Sequence, residues 1–290
     1  MKYLYEEMSW PEADAAAAAG AVAVIPYGTT EQHGPHMPLM TDYLIAGSVA
    51  RAAVERVVGA QPDQSAPPRA VALHPVTYSF NEHHMDLPGT VAISAHTIID
   101  YLVEVGRSLA HHGFQRMVIL NGHGSNAPFM DVAARLITNQ TPSICAGLAW
   151  WTLLKDEDRA GLEIPDALDR HAGETETSLV LHLRPDLVDM SKAVRTIDEV
   201  QRSENIMSVR GSAVAYQEWW TRNSPNGVIG DATKATPEKG RQLFEAAVTR
   251  VAGFVEEIGR REIRPRTDLH TAMQADGRRR WWLGEGTFSR

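Results

Sequence analysis

The stretch "IIDYLVEVGRSLAHHGFQRMVILNGHGSN", residues 98–126, reads as a helix, a stop, a strand and a polar loop. Ile98, Tyr101, Leu102, Val105 and Leu109 return every three or four positions, which places them on one face of a helix. Gly113 supplies the stop, and Met117 to Asn121 form a short apolar run suited to a buried strand. The same order recurs along the chain. Ala21 to Pro26, Ala70 to Val76 and Ile144 to Trp150 also read as strands, while Tyr43 to Gly59, His96 to His112 and Ala127 to Asn139 have helical spacing. Strands that are apolar throughout are buried on both faces, so the pattern predicts βαβ units and an α/β fold with a parallel-rich sheet covered by helices.

A chain of 290 residues permits one large α/β domain or two smaller ones. The Pro-rich segment Ala60 to Ala70 reads as a surface loop, so one domain over residues 1–263 is expected, with an irregular tail at 264–290. The tail carries Arg278, Arg279 and Arg280 beside Trp281 and Trp282, a pairing that nucleic-acid binders use. A net charge of −8 and a pI near 5.8 argue against that partner, and wrapping of a neighbouring subunit or of the chain's own body is the expectation. The single cysteine, Cys145, cannot form an internal disulfide and reads as a small buried hydrophobe, which suits a cytoplasmic location. Acidic residues Glu6, Glu7, Glu12 and Asp14 precede or interrupt the apolar run near the amino terminus, so neither an export signal nor a membrane span is expected.

Three polar clusters follow expected strands or precede an expected helix. "IPYGTTEQHGPHMPLMTD", residues 25–42, begins where the first strand ends, where α/β sheets gather ligands. In extended backbone Glu31 and His33 aim at one point while Gln32 faces elsewhere. Gly28 and Gly34 let the backbone turn, and Asp42 is either a helix cap or part of the same group. His123 lies just past another strand between two glycines. "RHAGETETS" adds His171, Glu174 and Glu176 ahead of a helix-like "LVLHL". Glu31, His33, Asp42, His123 and either Glu174 or Glu176 form a mixed nitrogen and oxygen set sufficient for two divalent metals sharing one carboxylate.

The blocks "PYGTTEQHGPHMPLMTD", "LPGT", "NGHGSN", "HAGETETS" and "GVIGDATKATPEKG" resemble, in order from about Tyr27 to Gly240, the signature blocks of the creatininase family of creatinine amidohydrolase-like metal enzymes. The resemblance implies a three-layer α/β/α sandwich with a mostly parallel sheet, two ions of zinc, manganese or iron per chain, and a homohexamer. It implies that Glu31, Asp42 and His123 hold one metal and that His33 and the bridging Asp42 hold the other. Creatinine-cleaving members complete the second set with a glutamate at the position of Ser125. Relatives with a small residue there make Glu174 the expected replacement, with Glu176 the runner-up or a supporting group. His171 takes the family's proton-shuttle position, His84 is a candidate for substrate contact, and His36 for orienting a ligand. Gly124 and Ala167 stand where creatinine enzymes carry aromatics, so creatinine is expected to be a poor substrate. Trp150 and Trp151 either cover a substrate or belong to the core or a subunit contact.

Two cations with a bridging water would provide hydroxide at neutral pH and polarise a carbonyl, with His171 delivering the proton to the leaving group. The leading expectation is hydrolytic C–N ring opening of a small cyclic amide. The alternatives are C–C cleavage of a cyclic diketone derived from a sugar or cyclitol, and a non-catalytic oligomer stabilised by its metals.

Overall fold

A computed structural model describes residues 1–166, 168–197, 218–265 and 267. Four parallel strands form the central sheet: β1 (Val22–Tyr27), β2 (Ala70–Ala72), β3 (Arg116–Asn121) and β4 (Ile144–Ala149), in the order β2-β1-β3-β4. The register sets Val24 beside Val118 and Tyr27 beside Asn121, so β1 and β3 end level with each other.

Strand alternation divides the core into two layers. Val22 and Val24 of β1 with Val118 and Leu120 of β3 face α2 (Thr41–Gly59), α5 (Glu174–Leu183) and α6 (Pro237–Arg260). Ala23, Ile25 and Tyr27 with Met117 and Ile119 face α1 (Trp10–Ala18), α3 (Ala95–His111) and α4 (Ala127–Gln140). The result is a three-layer α/β/α sandwich. Ile98, Leu102 and Leu109 form the buried stripe of α3. Each contributes about 1.5–3 kcal/mol by leaving water. The Ser94 hydroxyl starts that helix by accepting from the Thr97 amide at 3.3 Å.

The second strand stops sooner than the sequence pattern suggests, at Ala72. Pro75 has no amide to donate, which interrupts the ladder there. Pairing resumes one residue later, where the Val76 amide donates to Pro26 O at 2.9 Å and the Gly28 amide to Val76 O at 3.0 Å. Trp150 is fully buried in the core and Trp151 packs edge-on against it, with ring centroids 5.3 Å apart. Cys145 is half-buried against the α3/α4 layer.

A two-stranded antiparallel sheet, β5 (Arg195–Thr196) with β6 (Gly230–Asp231), lies apart from the main sheet. Among the described residues no helix is long and apolar enough to cross a membrane. Arg278 to Trp282 lie outside the described residues.

The chain leaves β1 toward β2 through α2 on one face and returns to β3 through α3 on the other. The reversal opens a crevice at the carboxyl ends of β1 and β3, the position at which open α/β sheets bind ligands.

Candidate metal centre

Three side chains meet at this crevice because two glycines let the elements close in. A Cβ on Gly28 would stand 2.4 Å from the Tyr43 amide nitrogen, and one on Gly122 would stand 2.4 Å from Asp42 O. Both contacts are with backbone at the start of α2, so only glycine permits this approach. It brings Asp42 between Glu31, beyond β1, and His123, beyond β3.

The Asp42 carboxylate is shared between two imidazoles. Its Oδ1 lies 3.1 Å from His33 Nε2, and its Oδ2 lies 3.1 Å from His123 Nδ1. Glu31 Oε2 is 3.3 Å from the same His123 nitrogen, and Glu176 Oε2 is 3.7 Å from His33 Nε2. The groups thus sort into two sets that share Asp42: Glu31 with His123, and His33 with Glu176.

Backbone contacts fix these rings. His33 Nδ1 lies 3.1 Å from the Glu31 carbonyl, which selects the tautomer that donates there and leaves the Nε2 lone pair facing the carboxylates. Asn121 clasps the His123 backbone, accepting from its amide at 3.0 Å and donating to its carbonyl at 2.6 Å. Asn126 in turn donates to Asn121 Oδ1 at 3.2 Å.

Several buried atoms here lack a hydrogen-bond partner: both carboxylate oxygens of Glu31, Asp42 Oδ2 and His123 Nε2. Such atoms are costly unless a cation or hydrogen bond satisfies them. Ligand atoms of Glu31, His33 and Asp42 lie within 4.8 Å of one another, as do those of His33, His171 and Glu176 and those of Glu31, His84 and His171. The donor set of carboxylates and imidazoles fits zinc, manganese or iron.

Electrostatics point the same way. Burial raises the Glu31 carboxyl above its ordinary range, with nearby Asp42 adding to the effect and the imidazoles opposing it. Burial also opposes ionisation of Asp42, but the His33 and His123 imidazoles outweigh it and hold that carboxyl well below the usual range. Burial disfavours the cations of both histidines, yet the carboxylates win, pushing His33 up to about 9 and His123 up to about 10. Burial among carboxylates raises Glu176 to about 7. A site that draws protons so strongly onto imidazoles is built for positive charge.

His171 stands over the second set, its ring centroid 4.3 Å from that of His33. Its Nε2 lies 2.8 Å from the Gln32 carbonyl, so this nitrogen carries the proton and Nδ1 faces inward, 3.5 Å from Glu31 Oε1. Burial and the His33 charge keep the ring neutral, with its pKa well below the ordinary value. His84 is likewise held neutral, chiefly by burial. Its Nδ1 accepts from Gln32 Nε2 at 2.8 Å, and its Nε2 approaches Glu31 Oε2 at 3.8 Å.

Other expected positions fall elsewhere. Glu174 is turned away from the cluster: its carboxylate receives the Glu163 and Ile164 amides and the Lys239 ammonium. Helix α5 begins at Glu174 itself, so both glutamates belong to its first turn rather than preceding it. Ser125 bonds His83 Nε2 at 3.0 Å, and a Cβ on Gly124 would meet nothing within 4 Å. His36 braces α5 through Thr177 Oγ1 at 2.9 Å. Ala167 lies outside the described residues.

The sequence reading missed Gln32 and Trp220. Gln32 does point away from Glu31 and His33, but toward His84, His171 and the Gly227 carbonyl. Trp220 stacks on His84 at 4.4 Å between centroids and stands edge-on to His171 at 5.0 Å. An aromatic wall therefore exists despite Gly124. Its only sequence signal is the tryptophan pair Trp219-Trp220 shortly before the "GVIGD" block.

A family model for creatininase, described as creatinine amidohydrolase, matches residues 6–255. The mycofactocin precursor peptide peptidase of Mycolicibacterium smegmatis is 36% identical over 235 residues, 81% of this chain and 84% of that protein. The 3-dehydro-scyllo-inosose hydrolase of Thermotoga maritima is 29% identical over 253 residues, 81% of this chain and 76% of that one. A solved structure described as "Creatininase Mn" shares the fold with a TM-score of 0.74 at 25% identity, covering 90% of this chain and 100% of its own. With a family match from near the amino terminus into α6, and with the strand-end cluster it accompanies, the chain belongs to the creatininase family.

Proposed function

We propose that this protein is a two-metal hydrolase that cleaves an amide C–N bond. Glu31, Asp42 and His123 would hold one divalent ion and His33, Asp42 and Glu176 the other, with zinc, manganese or iron as the metal. The observation that carries this reading is the division of Asp42 between His33 and His123, each at 3.1 Å from a different carboxylate oxygen. Three carboxylates would leave a net positive charge over two divalent ions, which when bound would lower the pKa of a water and polarise a substrate carbonyl.

The chain's own groups would do the rest. His171, neutral and anchored through Nε2, offers Nδ1 to take a proton and return it to the leaving nitrogen. Gln32 holds His84 through its side-chain amide and His171 through its backbone carbonyl, and Trp220 closes one side of the site against water. The aromatic wall that Trp220 gives this crevice suits ring opening of a small cyclic amide. The identity to a precursor peptide peptidase and the open space at Gly124 support a second reading, in which the amide lies in a peptide. A homohexamer, which the family resemblance implies, is the proposed assembly.

The test is incubation of metal-loaded protein with cyclic amides, short peptides and a cyclic diketone, with and without chelator, and mass analysis of the products. Chelator-sensitive C–N hydrolysis is expected. Chelator-insensitive turnover, or diketone cleavage alone, would refute the proposal.

A further inference from the structure

The loop that delivers His171 is tied down at both ends by carboxylates outside the metal cluster. Glu174, fully buried, accepts from the Glu163 amide at 2.9 Å and the Ile164 amide at 2.7 Å, where the loop begins. Asp169, near the end of the loop, accepts from the Glu174 and Thr175 amides at 2.8 and 2.7 Å and so caps α5. Lys239, on α6, donates to Glu174 Oε1 at 2.6 Å, to Glu163 Oε1 at 3.0 Å and to the Lys234 carbonyl at 2.8 Å. Between these ties the backbone is demanding. Ala172 takes a φ of 52°, in the left-handed region that a Cβ disfavours, and its amide donates to Glu176 Oε2 at 2.6 Å. The His171 amide donates to Ile229 O at 3.0 Å and the Ile229 amide returns to His171 O at 2.9 Å.

We infer that the ion pair between buried Glu174 and partly buried Lys239 is a latch that holds residues 163–166 and 168–173 against α5 and α6 and thereby positions Glu176 and His171 at the second metal set. The inference rests on the two-metal reading, with Glu176 as ligand. Glu174 is then a positioning residue. Its carboxylate satisfies two amides and an ammonium, and no ligand atom of the cluster is among its partners. The strained turn at Ala172 needs such support, because the ties on either side must outweigh the cost of its left-handed backbone. The latch also ties the site to α6, whose start is fixed by the Thr236 hydroxyl accepting from the Lys239 amide at 3.2 Å. Movement of that helix end would reach the second metal set through one ion pair.

The experiment titrates chelated, refolding-competent protein with Co²⁺ and follows the visible spectrum and thermal unfolding, for wild type, Lys239→Met, Lys239→Arg and Glu174→Gln. Wild type is expected to bind two ions. Lys239→Met and Glu174→Gln should still bind two, with the second held about 10–100-fold more weakly and its spectrum altered, the usual effect of removing support behind a ligand. The first ion should be unchanged, and Lys239→Arg, which keeps the cation and is the variant least prone to misfold, should restore most of the second affinity. A Glu174→Gln protein that binds one ion at any Co²⁺ concentration would make Glu174 a ligand and overturn the inference. Two unchanged ions in every variant, or equal weakening of both ions with lowered thermal stability, would overturn it as well. Fewer than two ions in wild type would instead refute the two-metal reading.

Discussion

Replacing Asp42 by alanine separates a bridging ligand from a helix residue. Asp42 offers one oxygen to each set, at 3.1 Å from His33 and 3.1 Å from His123. Zinc sites with four ligands bind with about 10–16 kcal/mol, so one ligand is worth on the order of 3 kcal/mol, or about two orders of magnitude in affinity. Asp42→Ala should therefore weaken both ions by about 10²–10³-fold. Glu31→Ala should weaken only the first and Glu176→Ala only the second, by a comparable factor. Competition with a chromophoric chelator measures each step, and elemental analysis after gel filtration gives the occupancy. If Asp42→Ala retains both ions at wild-type affinity, the carboxylate is a first-turn helix residue and the bridge does not exist. Loss of one ion alone would leave it a ligand but not a shared one.

Four further outcomes follow from the same geometry. His171→Ala should keep both ions while turnover falls on the order of 10²–10⁴-fold, the range for a general acid or base; parallel metal analysis and kinetics check this, and loss of metal would make His171 a ligand. Metal uptake near pH 8 should release about two protons per chain, because His33 at about 9 and His123 at about 10 must become neutral to bind while Glu176, at about 7, is already ionised; calorimetry in buffers of different ionisation enthalpy measures the number. Both pKa values lie above the unfolded value of about 6.5, so their contribution to the stability of chelated protein is full below that pH and lost as pH rises through 9 and 10. Melting curves should show chelated protein losing stability over that window. Gly122→Ala should displace the start of α2, since the new Cβ would meet Asp42 O at 2.4 Å, and should lower metal affinity as well as the melting temperature.

The layered fold was legible because its strands are uniformly apolar and its helices periodic. Glu31, His33, Asp42 and His123 were legible as a group because strand ends on either side of a reversal must converge. The choice between Glu174 and Glu176 was not. On a helix, residues two apart diverge by about 200°, so only one of them can face the site. Which one does so depends on Asp169 and on Lys239, 65 residues further along. Local sequence carries no trace of that contact. Gln32 was placed on the correct side of its extended segment, yet His84 and His171 arrive there from distant loops. Trp220 belongs to no periodic pattern, and Pro75 shortened a strand whose apolar run continued past it.

Anomalous diffraction from a metal-loaded crystal, at the absorption edge of the bound ion, tests the central claim most directly. Two peaks should appear about 3.5–4 Å apart, one on each side of Asp42, the spacing usual in two-metal hydrolytic sites. The first should lie against Glu31 and His123 and the second against His33 and Glu176, with Glu174 still paired to Lys239. A single peak, or a second ion bound by Glu174, would contradict the account.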